Sequence, residues 1–120
     1  MARPRSQSSP RQPRGSLYLV HFGRPIGSRR HQAQHYIGWA QDVDARIGEH
    51  LAGRGARILA YVASQDIAVV TYVLATGATR ADERRVKRHR HHAHYCPLCS
   101  PRPRRPTGQG LKPKTYARAA

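Results

Sequence analysis

His35-Tyr36-Ile37-Gly38-Trp39-Ala40-Gln41-Asp42-Val43-Asp44-Ala45-Arg46-Ile47-Gly48-Glu49-His50 is the stretch whose reading decides the fold. Tyr36 and Ile37 open it as a short apolar strand, Gly38 is read as the break, and an amphipathic helix follows. Val43, Ile47 and Leu51 recur every fourth residue and form one apolar stripe. Asp42 stands where a carboxylate satisfies the free N–H groups of the first turn, and Gly53 is placed to end the helix. Arg46 and His50 are also four apart and lie at the rim of the stripe, positioned for an anionic ligand.

Working outward from that stretch, Leu17 to Phe22 reads as a partly buried strand, aromatic and branched. Residues 23–34 form a basic connection with Gly23, Pro25 and Gly27 as breakers, ending in a loop that carries Arg29 and Arg30. This connection is short enough for the two strands to pair antiparallel. Downstream, Ala56 to Ala63 admits helix or strand and is read here as helix, and Ala68 to Leu74 is apolar enough for a central strand. Thr79 with Asp82 makes a capping box, so the last helix starts near Arg80 and runs to His89 or beyond. Four histidines (His89, His91, His92, His94) then lead into Cys96-Pro97-Leu98-Cys99. The expectation is an α+β domain over residues 16–91, a small three-stranded antiparallel sheet flanked by helices in the order β-β-α-α-β-α. A His/Cys-rich segment occupies 92–99, and residues 1–15 and 100–120 are expected to be disordered basic tails.

Charge narrows the partners. The 120 residues hold 22 Lys+Arg against 6 Asp+Glu, a net charge of +16. The two ends contribute ten basic residues and no acid. Such a chain attracts a polyanion through counterion release, which points to nucleic acid. A solubilising tail or an anionic-membrane contact is the plainer alternative. No run approaches the roughly 20 apolar residues of a membrane span, so no membrane partner is expected. The N-terminus lacks an apolar secretory core, and a cytoplasmic location is the default expectation. The arginine- and alanine-rich usage, with no asparagine, fits a high-GC bacterial genome.

Tyr18, Tyr36-Ile37-Gly38, Arg46 ten residues after Tyr36, His50, and Glu83 in the last helix together resemble the GIY-YIG endonuclease family. The likeness spans residues 16–91, and from Tyr36 to Cys99 it is similar to small stand-alone bacterial members that end in Cys-Pro-x-Cys. Ser16 stands where the family signature has its first glycine, and the connection from Tyr18 to Tyr36 is longer than typical. The asparagine that commonly follows the glutamate helix has no counterpart. The resemblance implies a GIY-YIG-like fold and metal-dependent hydrolysis of DNA phosphodiester bonds. It further implies Tyr18, Tyr36, Arg46, His50 and Glu83 as the catalytic set.

Under that resemblance Glu83 is the ligand for Mg²⁺ or Mn²⁺, since a hard carboxylate suits a cation that keeps most of its waters. Arg46 is the phosphate clamp, its guanidinium matching phosphate oxygens two at a time. Tyr18 activates or orients the water, while Tyr36 and His50 support the phosphate network. Arg29, Arg30 and Lys87 join Arg46 as DNA contacts. From spacing alone each residue also admits a structural role: Glu83 as an i,i+4 partner of Lys87, Arg46 as a solvated helix arginine, Tyr18 as core. Cys96 and Cys99 offer two of the four ligands that a structural Zn²⁺ site needs, with the neighbouring histidines as candidates for the rest and reduced free thiols as the plainer reading. Three functions follow: a nuclease, a non-catalytic DNA-binding protein that keeps the fold, or a zinc-dependent partner-binding tail.

Overall fold

Alternation along two paired strands sets the architecture. The computed structural model describes residues 12–119, with side chains described to residue 113. Strand β1 (Gly15–Gly27) is central and β2 (Gln32–Ala40) pairs with it antiparallel along one side. Helix α1 (Val43–Leu51) and helix α2 (Arg57–Ser64) follow, then β3 (Val69–Ala78), antiparallel to β1 on its other side. Helix α3 (Arg80–Lys87), a single 3₁₀ turn (His92–Tyr95) and strand β4 (Lys112–Ala119) complete the chain. The strand order is β2-β1-β3-β4, all antiparallel.

Both faces of the sheet are covered, which is why Leu17, Tyr18, Leu19 and Val20 are all buried in succession rather than alternating. Odd-numbered Leu17 and Leu19 join Ile37, Leu74, Val86, Tyr95 and Cys96 on one face. Even-numbered Tyr18, Val20 and Phe22 pack with Val43, Leu59 and Val62 of α1 and α2 on the other. The period of two along β1 therefore sorts its residues between two cores.

The expected α+β class and the order β-β-α-α-β-α hold, but the sheet has four strands, not three. Strand β4 lies in the stretch expected to be a disordered tail. The chain after Cys99 returns over the fold: the Arg104 N–H donates to the His94 carbonyl (2.7 Å), Arg85 Nη1 donates to the Thr107 carbonyl (2.9 Å), and Pro106 is buried. Strand β4 then satisfies the open backbone edge of β3. Backbone pairing needs no apolar pattern, so the tail's composition concealed it. The other expected tail, residues 1–15, lies outside the described residues as far as residue 11.

The basic connection is also shorter than read. Strand β1 runs to Gly27 and β2 starts at Gln32, with a bulge between His21 and Ile26, so a tight turn carries Arg29 and Arg30. Helix signals fared better. Asp42 caps α1, accepting from the Ala45 N–H (3.0 Å), and the Thr79–Asp82 capping box is complete. Gly53 takes the left-handed conformation (φ +84) just past α1. The buried side of α1 is rotated from the apolar stripe: Leu51 is exposed and His50 is buried.

Candidate functional site

Gly38 lies inside β2, not at its end, and its lack of a side chain makes the site possible. A Cβ there would lie 2.5 Å from the Tyr18 ring and hydroxyl and 2.9 Å from the Tyr36 ring. The glycine is thus a close-approach position, a correction to its reading as a strand break. Gly38 pairs with Tyr18 across the ladder and Val20 pairs with Tyr36, so both tyrosines share the face that meets α1.

There His50 completes a ring cluster. The Tyr18 hydroxyl and His50 Nε2 share a buried hydrogen bond of 2.9 Å. Ring centroids lie 6.2 Å apart for Tyr18–Tyr36, 6.1 Å for Tyr18–His50 and 5.8 Å for Tyr36–His50. His50 Nδ1 is buried without a hydrogen bond. Gly55 (φ +97) passes so close that a Cβ there would come within 2.8 Å of that nitrogen.

Electrostatics ties Arg46 and Glu83 to the cluster. Burial first, then Tyr36, raises the Tyr18 hydroxyl well above the ordinary tyrosine value; Arg46 pulls it back down and Glu83 pushes it up. Burial and then Arg46 lower the pKa of His50, which keeps the imidazole neutral. Arg46 pairs with Glu49 (3.0 Å) and lines an open cleft of about 360 Å³ with Trp39, Asp42 and Arg80. Glu83 is buried on α3, one oxygen 3.3 Å from Arg80 and the other 3.2 Å from Lys87. The Lys87 ammonium sits 5.0 Å from the Tyr36 ring centre, and the Arg80 guanidinium 4.5 Å from that of Trp39. Tyr18, Tyr36, Arg46, His50, Glu83 and Lys87 thus gather from β1, β2, α1 and α3 at the β2 edge of the sheet. Arg29 and Arg30 do not join them: they are exposed at the far turn of the β1–β2 hairpin, roughly 30 Å along the strand from Tyr18.

A second cluster occupies the opposite face of the same two strands. His21 and His35 pair directly across the ladder and point to the side where Cys96 is buried. His21 Nδ1 is 3.2 Å from His35 Nε2, 3.5 Å from Cys96 Sγ and 3.6 Å from Cys99 Sγ; Cys99 Sγ is 3.3 Å from His35 Nε2. All four ligand atoms lie within 4.8 Å of one another, so this cluster can hold a metal ion such as zinc. Burial lowers the pKa of both histidines, that of His35 to about 4, leaving neutral imidazoles.

The expected partners of Cys96 and Cys99 were the histidines of the 89–94 run, and these are not in the cluster. His91 stacks on His94 (5.2 Å) and His89 lies against Tyr95 (6.2 Å). Proximity in sequence misled; the ligands come from strands more than sixty residues away. The legible signal was one histidine on each hairpin strand, in phase with Leu17, Leu19 and Ile37.

Among the described residues no helix is long and apolar enough to cross a membrane. Compared with known proteins, the chain matches no family model, no curated protein and no solved structure.

Proposed function

We propose that the protein is a metal-dependent endonuclease of the GIY-YIG type, hydrolysing DNA phosphodiester bonds. The observation that carries the reading is convergence. Five residues chosen by motif spacing, from four separate elements, gather around one buried tyrosine–histidine hydrogen bond beside an open cleft.

In this reading Arg46 binds the phosphate entering the cleft and offsets charge on its oxygens. With His50 as the neutral Nδ1–H tautomer, the Tyr18 O–H donates to its Nε2 across the 2.9 Å contact. As Tyr18 takes a proton from the attacking water it passes its own to His50, so the pair moves a proton without a free phenolate. Tyr36 and Lys87 hold Glu83 and Tyr18 in register. Glu83 would be the hard oxygen ligand for Mg²⁺ or Mn²⁺. When bound, that ion supplies Lewis-acid stabilisation of the phosphate.

One observation favours a second reading, a non-catalytic DNA-binding protein. Both Glu83 oxygens are already ion-paired, with Arg80 and with Lys87. Incubating the protein with supercoiled, linear and branched DNA, with and without added Mg²⁺ or Mn²⁺, separates the two. The nuclease reading expects nicks or cuts that need the added ion; salt-sensitive binding with no cleavage on any substrate would replace it with the second.

A further inference from the structure

We propose that His21, His35, Cys96 and Cys99 form a closed structural zinc site that fastens the C-terminal segment to the β1–β2 strand pair. The argument begins with distances. Zinc bonds of about 2.0–2.1 Å to nitrogen and about 2.3 Å to sulfur, at tetrahedral angles, require an N–N edge of about 3.3 Å and N–S edges of about 3.5 Å. The observed N–N separation is 3.2 Å and the three observed N–S separations are 3.3, 3.5 and 3.6 Å. Four of the six edges thus match those a zinc ion imposes, and all four ligand atoms lie within 4.8 Å of one another.

The chemistry agrees with the geometry. Two sulfurs and two imidazoles in a tetrahedron select zinc, whereas Mg²⁺ and Ca²⁺ take oxygen ligands. Four protein ligands leave no open position for water or substrate, so the site is structural. Binding converts both thiols to thiolates and releases two protons, and the two negative charges neutralise the ion. Cys96 is buried and Cys99 is exposed, which leaves a path for the metal from solvent.

Local structure builds the bite. The chain turns tightly between the cysteines: the Cys99 N–H (3.2 Å) and the Ser100 N–H (2.9 Å) both donate to the Cys96 carbonyl. The histidines are fixed by ladder register, opposite one another on adjacent strands. The site joins positions 75 residues apart at His21–Cys96 and 64 apart at His35–Cys99. A clip across loops of that length removes much conformational freedom from the unfolded chain. Its mechanical effect is to pin the turn that carries Cys96 and Cys99, from which the chain leads on to β4.

The test is the metal content and ligand field of the full chain, expressed in zinc-supplemented medium and purified without chelator. The expected result is one zinc per chain by elemental mass spectrometry. Co²⁺ exchange should give the intense visible bands of tetrahedral coordination together with a sulfur-to-cobalt charge-transfer band. Cys99→Ser and His35→Gln should each lose the stoichiometric metal, while the double variant His91→Gln/His94→Gln should keep it. Removing zinc should raise hydrogen exchange first between residues 92 and 112. Should the ligand variants fail to fold, the Co²⁺ spectrum of the wild-type chain decides alone. A zinc content far below one, an octahedral Co²⁺ spectrum without charge transfer, or metal lost on changing His91 and His94 would overturn the proposal.

Discussion

Tyr18 is buried, and its hydroxyl reaches a histidine that is also buried. Tyr18→Phe keeps the ring and removes only the oxygen. We expect cleavage to fall by about 10²–10⁴-fold, the range for losing a positioned acid–base group. We expect unfolding stability to fall by about 1–3 kcal/mol, because His50 Nε2 is left without its partner. Plasmid nicking rates and urea denaturation read the two effects separately. His50 makes a second prediction. Its pKa is lowered from 6.5 by burial and then by Arg46, with Tyr18 and Tyr36 from the sheet and Glu49 from its own helix around it. Below that value the unfolded chain takes up a proton that folded His50 refuses. Its stabilising contribution is therefore present above 6.5 and is lost as pH falls toward the lowered value. His21, His35 and His92 shift in the same direction, so the comparison that isolates His50 is wild type against His50→Gln. Urea unfolding on either side of that pH should show a shallower acid slope in the variant; equal slopes would remove His50 from the account.

Among the elements, β2 carries the sharpest constraint. Gly38→Ala drives a methyl into the Tyr18 hydroxyl and the Tyr36 ring. A loss of about 1–3 kcal/mol is expected from overpacking, together with displacement of Tyr18 from His50. Thermal melts and tyrosine ring shifts by NMR measure both. This glycine also shows what was legible in the sequence and what was not. Its place beside Tyr36 was visible as a pattern, but its reason, a ring from the neighbouring strand, exists only once register is known. Helix starts were legible because caps are local: Asp42, Thr79 and Asp82 do in the structure what their spacing implied. Strand ends were not: β2 continues through Gly38 on the strength of pairing, and β1 runs past Gly23 and Pro25 across a bulge before pairing with β2 again at Ile26 and Gly27. The His21–His35 pair was missed for the same reason. Two histidines fourteen residues apart become neighbours only through the ladder. Strand β4 rests on backbone hydrogen bonding to β3, which no side-chain period announces.

Across the whole molecule, one pair of strands carries both residue clusters. Tyr18 and Tyr36 face α1, while His21 and His35 face Cys96 and Cys99. The Cys/His cluster that can hold a metal and the proposed cleavage site are therefore back to back and can be perturbed independently. In the proposed reading the charge of +16 adds a long-range pull on DNA. Binding should weaken linearly on a logarithmic salt scale, with a slope of about −0.9 per phosphate contact. Replacing the exposed Arg29 and Arg30 by alanine should reduce that slope by about one unit per lost contact. Fluorescence anisotropy at several salt concentrations measures it, and an unchanged slope would remove the hairpin tip from the interface. Chelators are poorly suited to testing metal dependence here, because they would also strip an ion held by the Cys/His cluster; omission of Mg²⁺ is the cleaner comparison. The most direct measurement of the central claim is cleavage of supercoiled plasmid in Mg²⁺ by wild type and by Glu83→Gln, with DNA affinity measured on the same preparations. The account predicts cutting by wild type, loss of cutting in the variant and binding that is little changed. Equal cutting by both proteins, or none by the wild type, would contradict it.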